Sequence, residues 1–172
     1  IREMQPKGIV LSGGPASVYD EDAPLSDPGL FELGIPVLGI CYGAQLMTHQ
    51  LGGKVEKAVK REFGKSDLEI IYTGGLFAGM ETEDCKYQVW MSHGDRVVEL
   101  PTGFKLMAST DAAPIAAMAD DERGFYGVQF HPEVTHTHQG ERILRRFIID
   151  ICACEALWTA GNIVEESVRQ VC

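Results

Sequence analysis

The chain has 172 residues, of which 45% are hydrophobic, and a formal net charge of −10 at pH 7. This length fits one compact domain with a substantial core, and the acidic balance excludes a general nucleic-acid or anionic-membrane surface, since both would repel it. No apolar run approaches the roughly 18 residues that a membrane-spanning helix needs. The five cysteines form no secretory framework, so we expect a reducing compartment, the cytoplasm.

The first part of the chain predicts a short strand that runs into a glycine turn. Residues 8–11 are apolar, and the next four residues read Ser-Gly-Gly-Pro. The glycines of such a turn let backbone N–H groups approach a ligand closely, so the turn can supply a donor to an oxyanion. The alternative is an ordinary loop, because glycine and proline punctuate loops everywhere.

The central stretch, residues 35–45, predicts a buried strand, a sharp turn at Cys41 and the start of a helix that ends near Gly52. Gly39 and Gly43 frame the cysteine in the pattern G-x-C-x-G, the cysteine form of the nucleophile elbow. A thiol at a helix start lies at the positive end of the backbone dipoles, so we expect its pKa to be lowered from about 8.5 into the range of roughly 3.5–7.5. The alternative is that Cys41 is a small buried hydrophobic residue.

The middle of the chain reads as a series of strands. Short β pieces are predicted between residues 54 and 72, and further strands at 89–91, 104–108, 115–119 and 125–130. Short loops join many of them, which predicts a mixed sheet because parallel neighbours need long crossovers. By local propensity residues 92–95, Ser-His-Gly-Asp, form a turn.

His131-Pro132-Glu133 follows the strand at 125–130. Pro132 ends the strand, and in extended backbone His131 and Glu133 share a face, as a base and its orienting carboxylate require. The alternatives are a strand-end histidine beside a solvated glutamate, and a metal site of His131, His136, His138 and Cys41. Residues 141–152 predict an amphipathic helix, and residues 160–172 carry an apolar stripe without a visible partner, formed by Ile163, Val164, Val168 and Val171.

Taken together, four stretches resemble class I (triad) glutamine amidotransferases, and more narrowly the glutaminase domain of the GMP synthetase family. They are residues 8–19, residues 37–45 with 51–55, residues 89–95 (V-W-M-S-H-G-D) and residues 131–137 (H-P-E-V-T-H-T). The resemblance implies an α/β fold of three layers, the flavodoxin-like arrangement of this family, in which helices flank a central mixed, mostly parallel sheet.

The resemblance also implies a role for each matching residue. Cys41 would attack the side-chain amide of glutamine, His131 would pass the proton to the leaving ammonia, and Glu133 would orient His131. Backbone N–H groups of Gly14 and Tyr42 would stabilise the oxyanion. The positions implied to hold the glutamine backbone are Gln45, Ser92, His93 and Asp95, with Asp95 as the partner of the α-ammonium.

Residues 1–154 would form the glutaminase domain, without the strand and helix with which family members begin, and residues 155–172 the connection to a synthetase domain. That domain would bind ATP and Mg²⁺, so neither a cofactor nor a metal ion is expected in this chain. The expected partners are glutamine, the synthetase domain of the same full-length chain and a second copy in a homodimer, but no nucleic acid or membrane.

Three other functions stay open at the level of sequence. The chain could be the glutaminase of another class I amidotransferase that makes anthranilate, CTP or carbamoyl phosphate, or a γ-glutamyl peptidase with the same triad. It could also be a non-catalytic regulatory domain of the same fold. The presence of Cys41, His131 and Glu133 together argues against the regulatory domain.

Overall fold

Within residues 1–80 and 86–156, which a computed structural model describes, the chain forms one sheet of seven strands with helical segments packed on it. The strands are β1 (Ile9–Leu11), β2 (Val37–Ile40), β3 (Lys54–Ile70), β4 (Tyr87–Glu99), β5 (Lys105–Ser109), β6 (Ala117–Asp120) and β7 (Phe125–Val128). Helix α1 (Tyr42–Gln50) follows β2, and helix α2 (Gly140–Arg145) continues as a π-helical segment, Arg146–Ile151. Two short 3₁₀ turns, Pro28–Glu32 and Gly75–Phe77, complete the described elements.

The strand order is β1-β2-β7-β6-β5-β3-β4. The mixed sheet is confirmed, but its parallel share is smaller than the resemblance implied. Only β1 with β2 and β2 with β7 are parallel, and the other four described pairings are antiparallel. Loop length explains part of the difference, because the connections that join the neighbouring strands β5 and β6, and β6 and β7, are too short for the crossover of a dozen or more residues that parallel neighbours need.

Two hydrophobic cores lie on opposite faces of the sheet, and successive residues of β2 and β7 alternate between them. Leu38 and Tyr126 pack in one core with Phe147 of the π-helical segment. Val37 and Phe125, their neighbours in sequence, pack in the other core with residues of α1. This alternation is the period of two that a strand imposes on its side chains. Each face of the sheet is therefore covered by a helical layer, which confirms the three-layer α/β arrangement.

Strands β3 and β4 form a long antiparallel ribbon at one edge of the sheet. Lys57 pairs with Asp95 and Glu62 with His93, so residues 58–61 of β3 stand opposite Gly94 alone. The turn predicted at residues 92–95 is wrong, because these residues lie inside β4. Alternate residues of β4, including Met91 and Val97, are buried, and this packing overrides the local turn preference of Ser-His-Gly-Asp.

The end of the chain only partly follows the sequence-based prediction. The single helix predicted over residues 141–152 is split into α2 and the π-helical segment, which bury Ile143 and Phe147. The apolar stripe predicted within residues 160–172 lies outside the described residues. None of the helices in the described part of the chain is both long and apolar enough to span a bilayer.

Candidate active site

Cys41 sits on a strained turn between β2 and α1. Its backbone adopts φ 51° and ψ −106°, a region that residues other than glycine enter at a cost of roughly 1–3 kcal/mol. The flanking glycines are required by space: a Cβ at Gly43 would lie 2.0 Å from the Leu11 carbonyl oxygen, and one at Gly39 would lie 2.7 Å from the Ala44 nitrogen. The elbow that G-x-C-x-G predicts is therefore confirmed in its backbone geometry.

The thiol of Cys41 is almost fully enclosed, with 3% of the residue exposed. Its Sγ donates to the Ser92 carbonyl oxygen at 3.5 Å, and Gln129 Nε2 lies 3.9 Å from the sulfur. Burial raises the pKa of the Cys41 thiol to about 11, against the lowering effects of the Tyr42 N–H and of Gln129. The predicted lowered pKa is wrong, because loss of solvation outweighs the helix start. The resting thiol is neutral.

His131 presents one ring nitrogen to a carboxylate and leaves the other unpaired. Nδ1 lies 2.7 Å from Glu133 Oε1, whereas Nε2 is buried without a hydrogen-bond partner. A Cβ built on Gly13 would lie 2.9 Å from His131 Cε1 and 3.5 Å from Cys41 Cβ, so both side chains flank this glycine. With Nδ1 held as the donor to Glu133, Nε2 carries the lone pair that can accept a proton.

The backbone of His131 is fastened to β4 and to the loop that follows. Its N–H donates to the Trp90 carbonyl oxygen at 3.0 Å. The Thr137 hydroxyl donates to the His131 carbonyl oxygen at 2.6 Å and accepts from the Trp90 N–H at 3.0 Å. Thr137 thus ties the loop after the histidine to the strand beside it.

A cavity of about 680 Å³ opens at the thiol. Seven of the nine predicted site residues line it: Gly14, Cys41, Gln45, Ser92, His93, Asp95 and His131. The other two lie just outside. Tyr42 turns its backbone N–H towards the Cys41 sulfur while its phenol donates to the Pro24 carbonyl oxygen at 3.2 Å, and Glu133 stands behind His131.

Two buried side chains on the cavity wall are held by protein partners. Gln45 Nε2 donates to the Asp95 carbonyl oxygen at 2.8 Å and to Gln129 Oε1 at 3.3 Å. The Asp95 carboxylate accepts a hydrogen bond from the Ser17 hydroxyl, which comes from the loop after the Ser-Gly-Gly-Pro turn. These bonds fix both groups before any ligand enters.

His93 forms a second imidazole–carboxylate pair at the same cavity. Its Nε2 lies 3.2 Å from Glu62 Oε2 of β3, although the ring is not aligned for a hydrogen bond with that oxygen. Burial lowers the pKa of His93, and the charge of Glu62 opposes this shift. The direction that burial sets leaves His93 neutral at pH 7.

Sequence reasoning missed three residues that the fold brings to the site: Ser17, Glu62 and Gln129. Gln129 had a signal, since it is the one amide in an apolar strand and lies two residues before His131, on the same side of an extended chain. Glu62 had none, because its pairing with His93 depends on the irregular register of β3 and β4.

The alternative of a metal site finds no support in the structure. His136 stacks on Trp90 with ring centroids 4.6 Å apart, and His138 Nε2 lies 3.1 Å from Gln88 Nε2. Over residues 1–80 and 86–156, no group of three or more histidine, cysteine or acidic side chains could hold a metal ion.

Comparison with known protein families shows which family this chain belongs to. The family described as "Glutamine amidotransferase class-I" matches residues 1–151 of the chain. The chain therefore belongs to the class I glutamine amidotransferase family.

Curated relatives carry a narrower name. A GMP synthase (glutamine-hydrolyzing) of Heliobacterium modesticaldum is 57% identical over 171 residues, which cover 99% of this chain and 33% of the relative. The protein of the same name from Synechocystis sp. is 52% identical over 171 residues, 99% of this chain and 31% of the relative. The chain thus spans about a third of the length of the curated relatives it matches.

Solved structures of other proteins share the fold of this chain. A protein from Thermoplasma acidophilum that is described as one subunit of a GMP synthase is 35% identical, with a TM-score of 0.74 over 88% of this chain and 76% of the other. A glutamine amidotransferase from Thermotoga maritima, 22% identical, has a TM-score of 0.68 over 86% of this chain and 79% of the other, and it shows the shared fold alone.

Proposed function

We propose that this chain is the glutaminase part of a GMP synthase. It hydrolyses glutamine to glutamate and ammonia, and the ammonia passes to a synthetase domain for ATP-dependent amination of XMP to GMP. One observation supports the proposal: Cys41 and His131 line one cavity, and Glu133 Oε1 lies 2.7 Å from Nδ1 of His131, which suits the roles of nucleophile, base and orienting carboxylate. The names of relatives more than half identical to the chain supply the product.

The reaction starts with transfer of the Cys41 proton to His131 Nε2, the buried nitrogen that lacks a partner. The sulfur then attacks the carboxamide carbon of glutamine, and His131 returns the proton to the departing ammonia. The resulting thioester is cleaved by a water molecule that His131 deprotonates, which releases glutamate and restores the thiol. Glu133 holds Nδ1 at 2.7 Å through each transfer and stabilises the imidazolium.

The oxyanion of each tetrahedral intermediate needs donors that are already in place. The Tyr42 N–H faces the sulfur at the start of α1, and Gly14 lines the same cavity on the neighbouring turn. We assign these two N–H groups to the oxyanion, where one donor typically contributes about 3–4 kcal/mol to the barrier reduction.

The unreacting end of glutamine would lie against β4. The Asp95 carboxylate, buried and oriented by Ser17, is suited to the α-ammonium, and Gln45, Ser92 and His93 line the cavity beside it. None of these steps uses a cofactor. ATP and Mg²⁺ would be bound by the synthetase domain, and we further propose that the full-length protein is a cytoplasmic homodimer.

The direct test is replacement of the nucleophile. Cys41→Ala in the full-length protein should abolish glutamine-dependent GMP formation while ammonia-dependent formation continues, because added ammonia bypasses this site. Cys152→Ala removes another buried thiol and should leave both activities unchanged. Glutamine-dependent turnover that survives in the Cys41 variant would contradict the assignment of the nucleophile.

The product is tested separately. If the full-length protein converts XMP to GMP, the proposal stands. If it instead forms anthranilate, CTP or carbamoyl phosphate with glutamine as donor, the chain is the glutaminase of another amidotransferase.

A further inference from the structure

We infer that Gln129 is a positioning residue that orients both the nucleophile and the substrate-binding amide of Gln45. This role rests on the proposed function and deepens it, because Gln129 is neither a member of the proposed catalytic triad nor one of the predicted glutamine-binding residues. Gln129 lies directly after β7, two residues before His131, and only 1% of it is exposed. A fully buried amide must find partners for its NH₂ and its carbonyl oxygen.

The partners of Gln129 determine which way its amide points. Its Oε1 accepts from Gln45 Nε2 at 3.3 Å, which places the carbonyl towards α1. The NH₂ is then directed at the Cys41 sulfur, 3.9 Å from Nε2. Reversing this amide would set two NH₂ groups against each other and turn a carbonyl oxygen towards the sulfur.

The orientation matters for Cys41 once its proton has moved to His131. The sulfur then carries negative charge inside a buried site, where each hydrogen bond to it is stronger than it would be in water. Gln129 and the Tyr42 N–H are the two hydrogen-bond donors that lower the pKa of Cys41. Gln129 therefore favours the reactive form of the nucleophile without touching the substrate.

The same orientation determines what Gln45 can offer a ligand. Its NH₂ is committed to the Asp95 carbonyl oxygen and to Gln129, at 2.8 Å and 3.3 Å. The carbonyl oxygen of Gln45 is left for the cavity that this residue lines. The Gln45 side chain thus accepts a hydrogen bond from the substrate, as an ammonium or a carboxamide NH₂ requires, and does not donate one.

The test measures the thiol itself. The full-length protein is treated with iodoacetamide between pH 6 and pH 10, and alkylation of Cys41 is followed by mass spectrometry of its peptide. Gln129→Met keeps the volume but removes the donor, and it should slow alkylation at a given pH by about tenfold. Gln129→Glu adds a negative charge beside the sulfur and should slow it further. Gln50→Met, which removes an amide bonded to Ser26 at the far end of α1, is the matched control and should behave as wild type.

In Gln129→Met and Gln50→Met the titratable groups at the thiol and its cavity stay unchanged: His131, Glu133, His93, Glu62, Asp95, Lys57 and Asp20. A change in the pH profile therefore reports on Gln129. Gln129→Met should also raise the KM for glutamine, because Gln45 loses one of the two acceptors that orient it.

A second variant covers the case in which residue 129 does not tolerate substitution. Gln45→Glu presents a carboxylate to Gln129, so the NH₂ of Gln129 should turn towards α1 and its carbonyl towards the sulfur, and alkylation should slow as for Gln129→Met. Wild-type alkylation rates and pH profile in either folded variant would overturn the inference. Failure of the proposed function is a separate result, seen when wild-type protein alkylates at Cys41 but does not hydrolyse glutamine.

Discussion

The protonation state of the Cys41 thiol is determined by its burial. Burial raises its pKa to about 11, so thiolate is formed only when a proton acceptor takes up the proton at the moment of reaction. His131, with Nε2 buried and unpaired, is that acceptor in the proposed mechanism. The helix start contributes through the Tyr42 N–H, but it does not ionise the resting thiol.

Buried thiols should make the stability of the fold fall with rising pH. Burial raises the pKa of both Cys41 and Cys152 to about 11, against an ordinary value of 9.0. The unfolded chain therefore releases these protons first, and stability present below about pH 9 is lost as the pH rises towards 11, by about 1 kcal/mol per thiol at pH 10.

Melting temperatures at pH 8 and pH 10 test this. The double variant Cys41→Ala/Cys152→Ala should lose less between the two pH values than wild type does. Tyrosines, whose ordinary pKa is about 10, also ionise in this range, but they are the same in both proteins and contribute equally to both losses. An equal loss in both proteins would show that the thiols do not titrate as described.

At the residue scale, short sequence motifs were enough to predict that Cys41, His131 and Glu133 come together, because the G-x-C-x-G and H-P-E patterns each lie in a few consecutive residues. They did not predict the sign of the Cys41 pKa shift. That sign depends on which side chains surround the sulfur, including Gln129 and the Ser92 backbone, which are distant in sequence.

At the scale of elements, the turn between β2 and α1 holds the backbone of Cys41 at a positive φ, which is strained for any residue with a side chain. Cys41→Gly should therefore be more stable than Cys41→Ala, by about 1 kcal/mol, because glycine adopts positive φ freely. At an ordinary position the order is reversed, and glycine is less stable than alanine by roughly 0.5–1 kcal/mol. Urea unfolding of the two variants measures the difference. The same pair of substitutions at His49, inside α1, is the control and should show the ordinary order.

The loop after His131 depends on one hydroxyl. Thr137 is 4% exposed, and it bonds both the Trp90 N–H and the His131 carbonyl oxygen. Thr137→Val keeps the shape but leaves both backbone groups unpaired, so unfolding free energy should fall by about 1–3 kcal/mol. The kcat for glutamine hydrolysis should fall with it, because His131 keeps its N–H bond to Trp90 but loses the hydrogen bond to its carbonyl oxygen.

Denaturant unfolding and glutaminase assays check this prediction. Thr137→Ser restores the hydroxyl and should recover most of both quantities, whereas Thr135→Val, at an exposed position in the same loop, should change neither. If Thr137→Val keeps the wild-type kcat, the loop does not position the histidine.

Element boundaries were predictable where hydrophobic pattern and breakers agreed, as for β2 and α1, whereas β7 ends at Val128, two residues before the predicted end. The failure at residues 92–95 has a definite cause. Glycine and aspartate favour turns locally, but pairing with β3 and burial of alternate residues make the stretch a strand.

At the scale of the whole molecule, the site is formed by segments that are far apart in the sequence. The turn after β1, the elbow after β2, the middle of β4 and the segment after β7 meet at one cavity. The sequence predicted this convergence for the segments that end parallel strands, because the carboxyl ends of such strands share an edge. It did not predict how much of the sheet is antiparallel, since strand order depends on packing that no single segment reveals.

We predict that glutaminase activity of this chain rises when a synthetase domain is present. Free hydrolysis would waste glutamine, so a coupling of about 1–3 kcal/mol, or roughly 5–150-fold, between the idle and competent states is expected. Rates of glutamate release should be compared between this chain alone and the full-length protein with ATP and XMP bound. Equal rates would make the chain an autonomous hydrolase.

The neutral state of the resting thiol also affects how fast the protein is inactivated by oxidation. Because burial raises the pKa of Cys41 to about 11, the resting thiol is protonated at pH 7. Peroxides oxidise thiolates much faster than thiols, and the later products of that oxidation are irreversible. The resting thiol is therefore oxidised more slowly than a thiolate would be, and the thiolate forms during turnover, when the proton moves to His131. Oxidative inactivation should accordingly depend on how many catalytic cycles the protein has completed more than on its age.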